Sequence, residues 1–279
     1  MCKFANEMNH TINIRGRLID LNRPLVMGIL NATPDSFYEG SRKQTESEIA
    51  ERVHQIVDEG GMIIDVGAFS TRPGAMEVSE DEEMRRLQFA LEIVRREQPD
   101  AIVSVDTYRT NVARRCVELW GADMVNDVSE GGVTGIVNTP LKEKYDMFQT
   151  IASLRVPYIL MSVRPTMREM LLAFAEEIQT LRDLGVNDII IDPGFGFGKT
   201  MEQNYQIMSE LEKLQILDLP LLVGVSRKSM IYKLLNVSPS AALNGTTVLH
   251  TVALQKGAKI LRVHDVREAV ETIKIVSQL

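Results

Sequence analysis

Cysteine is almost missing from the 279-residue chain: there are two, Cys2 and Cys116, alongside four histidines. So sparse a set excludes a disulfide framework and a zinc knuckle, and it makes a reducing cytoplasm the natural compartment. Long apolar runs are lacking as well. No stretch approaches the ~20 uninterrupted apolar residues needed to span a bilayer, and the opening Met1-Cys2-Lys3-Phe4-Ala5-Asn6-Glu7 has no apolar core of a secretory signal. Positive charge is in deficit, with 31 Lys and Arg against 38 Asp and Glu, a net charge of −7 and a pI near 5.3. That balance argues against a nucleic-acid or anionic-membrane partner, so an anionic substrate has to be held by a local basic site. Linkers, low-complexity segments and sequence repeats are absent too, and one domain over residues 1–279 is expected.

What the chain does have is a regular alternation. Apolar, largely β-branched runs occur at Val26–Asn31, Met62–Ala68, Ala101–Thr107, Met124–Ser129, Tyr158–Val163, Asp188–Gly194, Leu221–Ser226 and Ile260–Asp265. Their near-continuous apolar character suits strands buried on both faces, as in a parallel sheet. Helical patterns lie between them. Thr45-x-x-Glu48 and Ser79-x-x-Glu82 read as capping boxes, and further helices are predicted over Asn111–Trp120, Met167–Leu184, Met201–Leu217 and Val266–Val276. Eight strands alternating with helices predict an α/β fold, a (β/α)8 TIM barrel. The competing open sheet would carry a glycine-rich turn after its first strand, where this chain reads Asn31-Ala32-Thr33-Pro34. Residues 11–20 are expected to form an N-terminal β-hairpin closing the barrel bottom.

Polar residues collect where these strands end: Asn31, Asp65, Asp106, Asn126 with Asp127, Asp192, Ser226-Arg227-Lys228, and Arg262 with His264. A lone strand-end Asp usually caps a helix or starts a turn. A full set on one barrel rim is different, because desolvating so many charges without a ligand is costly. Asp106, Asn126, Asp192 and Lys228 match the edge of a flat aminopyrimidine heterocycle, its N–H groups meeting carboxylates and its carbonyl an ammonium. Arg72, Arg262 and His264, with Ser70 and Thr71 nearby, suit a phosphate or diphosphate. Asn31 offers a neutral oxygen for a Mg²⁺ ion that keeps most of its waters. Gly194-Phe195-Gly196-Phe197-Gly198-Lys199-Thr200 fails as a phosphate loop, since Pro193 stands where the first glycine is required; it reads as a glycine turn from which Phe197 and Lys199 reach toward substrate. Two loops, 34–40 and 69–74, are expected to overhang the rim as lids.

Several of these segments together resemble the dihydropteroate synthase family of pterin-binding barrels. Met27-Gly28-Ile29-Leu30-Asn31-Ala32-Thr33-Pro34-Asp35-Ser36-Phe37 is similar to its first signature and Ser70-Thr71-Arg72-Pro73-Gly74 to its second. Asp192 to Lys199, Ser226-Arg227-Lys228 and Arg262-Val263-His264-Asp265-Val266 are similar to its later blocks, in family order from about residue 25 to 268. The resemblance implies a Mg²⁺-assisted, cytoplasmic, homodimeric transferase of folate biosynthesis, from a family targeted by sulfonamides. Its substrates would be (7,8-dihydropterin-6-yl)methyl diphosphate and 4-aminobenzoate. It implies that Asp106, Asn126, Asp192, Lys228 and Met161 hold the pterin, and that Arg262 bridges pterin and diphosphate, with His264 and Asn31 at the diphosphate and metal. Thr71, Pro73, Phe197 and Ser229, with Phe37, would line the 4-aminobenzoate pocket, and Asp35 and Arg72 would act when the loops close. Met161-Ser162-Val163-Arg164-Pro165 departs from the Met-His-Met pattern usual there, and Ala68-Phe69 from the usual start of the second loop. Two other readings stay open: a corrinoid-linked pterin methyltransferase, which has no use for the Ser70–Gly74 segment, and a non-catalytic pterin-binding paralogue.

Overall fold

The computed structural model describes residues 10–32, 42–68, 78–132 and 146–279. A short antiparallel hairpin, β1 (Thr11–Ile14) and β2 (Arg17–Asp20), precedes the barrel strands β3 (Leu25–Asn31), β4 (Ile63–Gly67), β5 (Ile102–Asp106), β6 (Met124–Asp127), β7 (Tyr158–Met161), β8 (Ile189–Asp192), β9 (Leu221–Val223) and β10 (Ala258–Val263). These eight are parallel and close in the order β10-β3-β4-β5-β6-β7-β8-β9. Around them run α1 (Arg42–Asp58), α2 (Glu80–Glu97), α3 (Thr110–Glu118), α4 (Asp146–Leu154), α5 (Met167–Asp183), α6 (Met201–Ser209), α7 (Ser229–Leu235), α8 (Leu243–Gln255) and α9 (Val266–Val276). The expected (β/α)8 barrel is what forms, each strand lying within or one to two residues from its predicted span.

The hairpin does close the bottom. Arg15 and Gly16 both take positive φ (50° and 80°), the geometry of a two-residue turn whose twist matches its strands. Ile12, Ile14 and Leu21 then pack against Met27, Ile63, Ile102, Met124, Ile159, Ile190, Leu222 and Ile260, one residue from each barrel strand. Burial of each such side chain contributes about 2 kcal/mol. Polar contacts fix the hairpin's orientation: Arg15 Nε and Nη2 both donate to the Asp123 carboxylate, which also accepts from Arg95 Nη2 at 2.8 Å and the Val103 amide at 2.8 Å.

That floor sets the phase of every strand. Side chains alternate between the faces of a strand, so a residue two positions beyond a floor residue also points inward. Two beyond are Ile29, Asp65, Ser104, Asn126, Met161, Asp192, Gly224 and Arg262, and two further along the longer strands come Asn31, Gly67 and Asp106. The barrel interior therefore changes from apolar below to polar above.

Three local expectations are corrected. α1 begins at Arg42, so Thr45 is no N-cap; it lies inside the helix and is buried. The predicted helix Met201–Leu217 breaks at Glu210 and continues as a 3-10 turn over Leu211–Leu217, because Leu211, Leu214 and Leu217 recur every third residue and share one face only at three residues per turn. The strand predicted to Ser226 ends at Val223, after which the chain folds back with the Lys228 amide donating to the Val225 carbonyl. Ser79 does cap α2, accepting from the Glu82 amide at 3.3 Å, but the box is half formed, since the Glu82 carboxylate turns to Arg85 and Arg86.

Candidate active site

Asp65, on β4, is completely buried, and its Oδ2 accepts from Arg262 Nε at 2.6 Å and from Asn126 Nδ2 at 3.2 Å. The other fork of the same guanidinium, Nη2, donates to Asp106 Oδ2 at 2.6 Å. Strand register brings these groups together, since Gly67, Asp106 and Asn126 are paired neighbours across β4, β5 and β6. The result is one chain of contacts, Asn126–Asp65–Arg262–Asp106, across the upper barrel. Burial works against the Arg262 charge, but Asp65 and Asp106 outweigh it and hold the guanidinium above its ordinary pKa. Burial, with Asp65 beside it, raises the Asp106 carboxyl despite Arg262.

Across the barrel, Asp192 ends β8, with Oδ1 accepting from the Gly194 amide at 2.8 Å. Burial raises its carboxyl, and Lys228 is the strongest influence pulling it back. The Lys228 ammonium donates to the Phe195 carbonyl and stands 4.6 Å from the centre of the Phe197 ring. Burial lowers it to about 8, with Asp192 opposing that fall. The two halves meet at Gly224: a Cβ there would sit in ordinary contact with both, 3.8 Å from Arg262 Cβ and 4.0 Å from Lys228 Nζ. Asp192, Lys228 and Arg262 are thus near enough for each one's charge to act on the other two. Met161, fully buried, lies beside Gly194, where a Cβ would come within 2.2 Å of the Ser162 carbonyl and 2.9 Å of Met161 Cγ. With φ at +64°, Gly194 has a second reason to be glycine.

His264 and Asn31 lie to one side. They line a cleft with Ile29, Leu30, Thr45, Glu48, Ile49 and Arg52. His264 Nδ1 is 3.1 Å from Ser226 Oγ, and its carbonyl accepts from Arg52 Nη2 at 2.6 Å. Ser229 opens α7 directly after Lys228.

Of the residues proposed from the sequence, Asn31, Asp106, Asn126, Met161, Asp192, Phe197, Lys228, Ser229, Arg262 and His264 fall on this rim. Asp35, Phe37, Thr71, Arg72 and Pro73 lie outside the described residues, as do both predicted lid loops. Other polar residues at the strand ends serve the scaffold. Asp127 points outward and accepts from the Ser129 amide and hydroxyl, the Gly131 amide and Tyr158 Oη. Arg227 pairs with Asp265 at 2.7 Å. Lys199 does not reach toward substrate: its ammonium donates to the Ser162, Gly194 and Phe197 carbonyls at 2.8, 3.0 and 3.2 Å. Asp65 and Arg52 received no role from the sequence. The alternation counted from the floor finds the first; nothing in the local pattern marks the second, which looks like any exposed helix arginine.

Fold and site together define a (β/α)8-barrel enzyme that takes a polar heterocycle into its upper interior. Residues 27–264 match the model of the pterin binding enzyme family. The chain is 36% identical over 277 residues to the dihydropteroate synthase of Escherichia coli K12, covering 94% of each. It also superposes on Xanthomonas albilineans dihydropteroate synthase with 4-aminobenzoic acid (TM-score 0.85, 33% identity, 97% of this chain and 98% of that one). A third match is the Yersinia pestis dihydropteroate synthase with a sulfonamide drug complex (TM-score 0.82, 36% identity, 96% and 98%). The chain belongs to the pterin binding enzyme family, and within it to the dihydropteroate synthases, which sets aside the methyltransferase reading.

Proposed function

We propose that this protein condenses (7,8-dihydropterin-6-yl)methyl diphosphate with 4-aminobenzoate, releasing pyrophosphate and forming 7,8-dihydropteroate for folate biosynthesis. The observation that carries this reading is the convergence of Asp192, Lys228, Arg262, Asp65 and Asp106 at one end of the barrel, close enough for their charges to act on one another.

In this reading the pterin ring lies over Met161. Its amino and ring N–H groups donate to Asp192 and Asp106, and its carbonyl accepts from Lys228. Asn126 contributes through its tie to Asp65, which also keeps the Arg262 fork in orientation. The diphosphate extends toward His264 and Asn31. As the bond between methylene carbon and bridging oxygen breaks, Arg262 and His264 take up charge developing on the leaving group. The dihydropterin ring stabilises the carbocation, the 4-aminobenzoate nitrogen attacks it, and a proton leaves the new secondary amine. Asp35 and Arg72 are assigned to this step, and Thr71, Pro73, Phe37, Phe197 and Ser229 to the walls around 4-aminobenzoate.

Mg²⁺ fits this arrangement as an ion carried largely by substrate. No group of three or more His, Cys, Asp or Glu side chains able to hold a metal lies among the described residues, whereas Asn31 presents a neutral oxygen beside His264. That donor set suits an ion that retains its waters and leans on phosphate oxygens. Once bound, it would neutralise part of the diphosphate charge. The proposal extends to a cytoplasmic homodimer. Leu234, Leu235, Val237 and Val248, exposed on and between α7 and α8, support self-association, and buried free Cys116 suits a reducing compartment. No described helix is long and apolar enough to cross a membrane.

The direct test is a coupled pyrophosphate-release assay with both substrates, with and without Mg²⁺. Release that needs both substrates and the ion is expected; no release would end the assignment and favour the non-catalytic paralogue. The lowered Lys228 adds a pH prediction. Its ammonium is present below about 8 and lost above, so pterin affinity should fall as pH rises from 7 to 9. Calorimetric titration of the pterin against pH checks this. Lys228→Met should bind weakly and lose the fall, keeping only the rise that ionisation of Asp106 brings near pH 7, and a wild-type profile with no fall would remove Lys228 from the pterin carbonyl.

A further inference from the structure

The turn leaving β6 contains a group that the reaction above does not use. Glu130 is completely shielded from solvent and sits at φ 55°, a backbone region that a residue with a long side chain seldom occupies. Its Oε1 accepts from Ser162 Oγ at 3.1 Å and from Arg164 Nε at 3.0 Å, while Oε2 has no hydrogen-bond partner among the described residues. A buried carboxylate on an unfavourable backbone, half-satisfied, is an unfavourable way to make a turn, and points to a demand other than folding. The turn around it is held firmly, because Asp127 accepts from the Ser129 amide at 2.7 Å and the Gly131 amide at 2.9 Å.

Following the contacts outward leads to the substrate pocket. Ser162 and Arg164 belong to the chain leaving β7. The Ser162 amide donates to the Asp192 carbonyl at 2.8 Å, and the Ser162 carbonyl accepts from Lys199 Nζ. Lys199 gives its other donors to the Gly194 and Phe197 carbonyls, closing the glycine turn like a clasp. Burial draws its ammonium down to about 8, while Asp192 and then Glu130 help retain the charge. The clasp's free end carries Phe197, whose ring faces Lys228. An uninterrupted set of charge-assisted hydrogen bonds therefore runs from Glu130, through residues 162–164 and Lys199, to the turn bearing Phe197.

We propose that Glu130 is a positioning residue for the amine substrate: by fixing Ser162 and Arg164 it sets the anchor on which Lys199 fastens the Phe197 turn, and so the wall met by 4-aminobenzoate. This rests on the function proposed above and deepens it. Of the pterin's contacts, Asp106 and Asn126 lie outside this chain of bonds; Asp192, Met161 and Lys228 adjoin it, but Met161 and Asp192 are also held by the pairing of β7 with β8, so the pterin should respond less than the amine.

Steady-state kinetics of the full chain with Glu130→Ala and Glu130→Gln test the idea. Glu130→Ala is expected to raise KM for 4-aminobenzoate about tenfold while KM for the pterin diphosphate stays within about twofold. Glu130→Gln, whose amide oxygen still accepts from Ser162, should recover part of that loss. Equal increases in both KM values would overturn the proposal, as would a lowered Tm with neither KM changed. If Glu130→Ala does not fold, Ser162→Ala removes one hydroxyl from the same link and should give the same split at roughly threefold; no split there also overturns it. A wild-type chain that releases no pyrophosphate would refute the proposed function itself, whereas an active wild type with unsplit variants refutes this inference alone.

Discussion

Arg262→Met is expected to cost about 3–5 kcal/mol of folding stability and to depress turnover by roughly a thousandfold or more. The reason is charge accounting in a dry place. Asp65 is inaccessible and Asp106 partly buried, and both depend on the forks of one guanidinium. Methionine fills much of the volume but leaves two facing carboxylates with no cation between them, so at least one must take up a proton. Its folded pKa then lies above its unfolded value. Such a group loses stability as pH rises past the unfolded value, so the deficit should be larger at pH 8 than at pH 5. Urea denaturation at the two pH values, together with turnover, checks the prediction. Arg262→Lys restores one charge without the fork and should recover more stability than activity. A fully active, fully stable Arg262→Met variant would mean that the bridge between Asp65 and Asp106 is incidental.

Asp192→Asn should weaken pterin binding by about a hundredfold, close to 3 kcal/mol, while folding stability changes by no more than about 1 kcal/mol. The side-chain oxygen that accepts from the Gly194 amide can be kept by asparagine, so the turn survives. What changes is the other position, where an acceptor becomes an N–H donor facing the heterocycle's own donors, and Lys228 loses its strongest opposing charge. Calorimetric titration with a pterin and a thermal melt separate these effects. Affinity within a few-fold of wild type would place the pterin edge elsewhere on the rim.

Much of this was readable before any coordinates, because barrels convert a one-dimensional pattern into a place. Asp106, Asn126, Asp192 and Arg262 could be assigned to one mouth from strand periodicity alone, since parallel strands end together. Asp127 and Arg227 show where that logic stops. Each stands next to a site residue, but alternation turns Asp127 outward to Tyr158, and the chain reversal after Val223 sends Arg227 to Asp265. Lys199 departs from its sequence expectation for a related reason: whether a lysine reaches a ligand or knots its own turn depends on carbonyl directions, which the residue order does not encode. Glu130 left no trace in the periodicity because its importance arises from Ser162 and Arg164, more than thirty residues away. The break after Ser209 was visible in retrospect as leucines spaced by three. The stretch 161–165, where the chain departs from the family's usual residues, turned out to be tied to Glu130 rather than left open.

The hairpin seals one end of the barrel with packed isoleucine and leucine, so among the described residues the polar interior is reached from the opposite end. Asp65, Asn126 and Asp192 lie deepest, whereas Phe197 stands half-exposed nearer the entrance. On the proposed reading, whichever partner occupies the inner berth has to arrive before its companion. The enzyme would then follow a compulsory order, heterocycle first and amine second, imposed by the depth of the inner position.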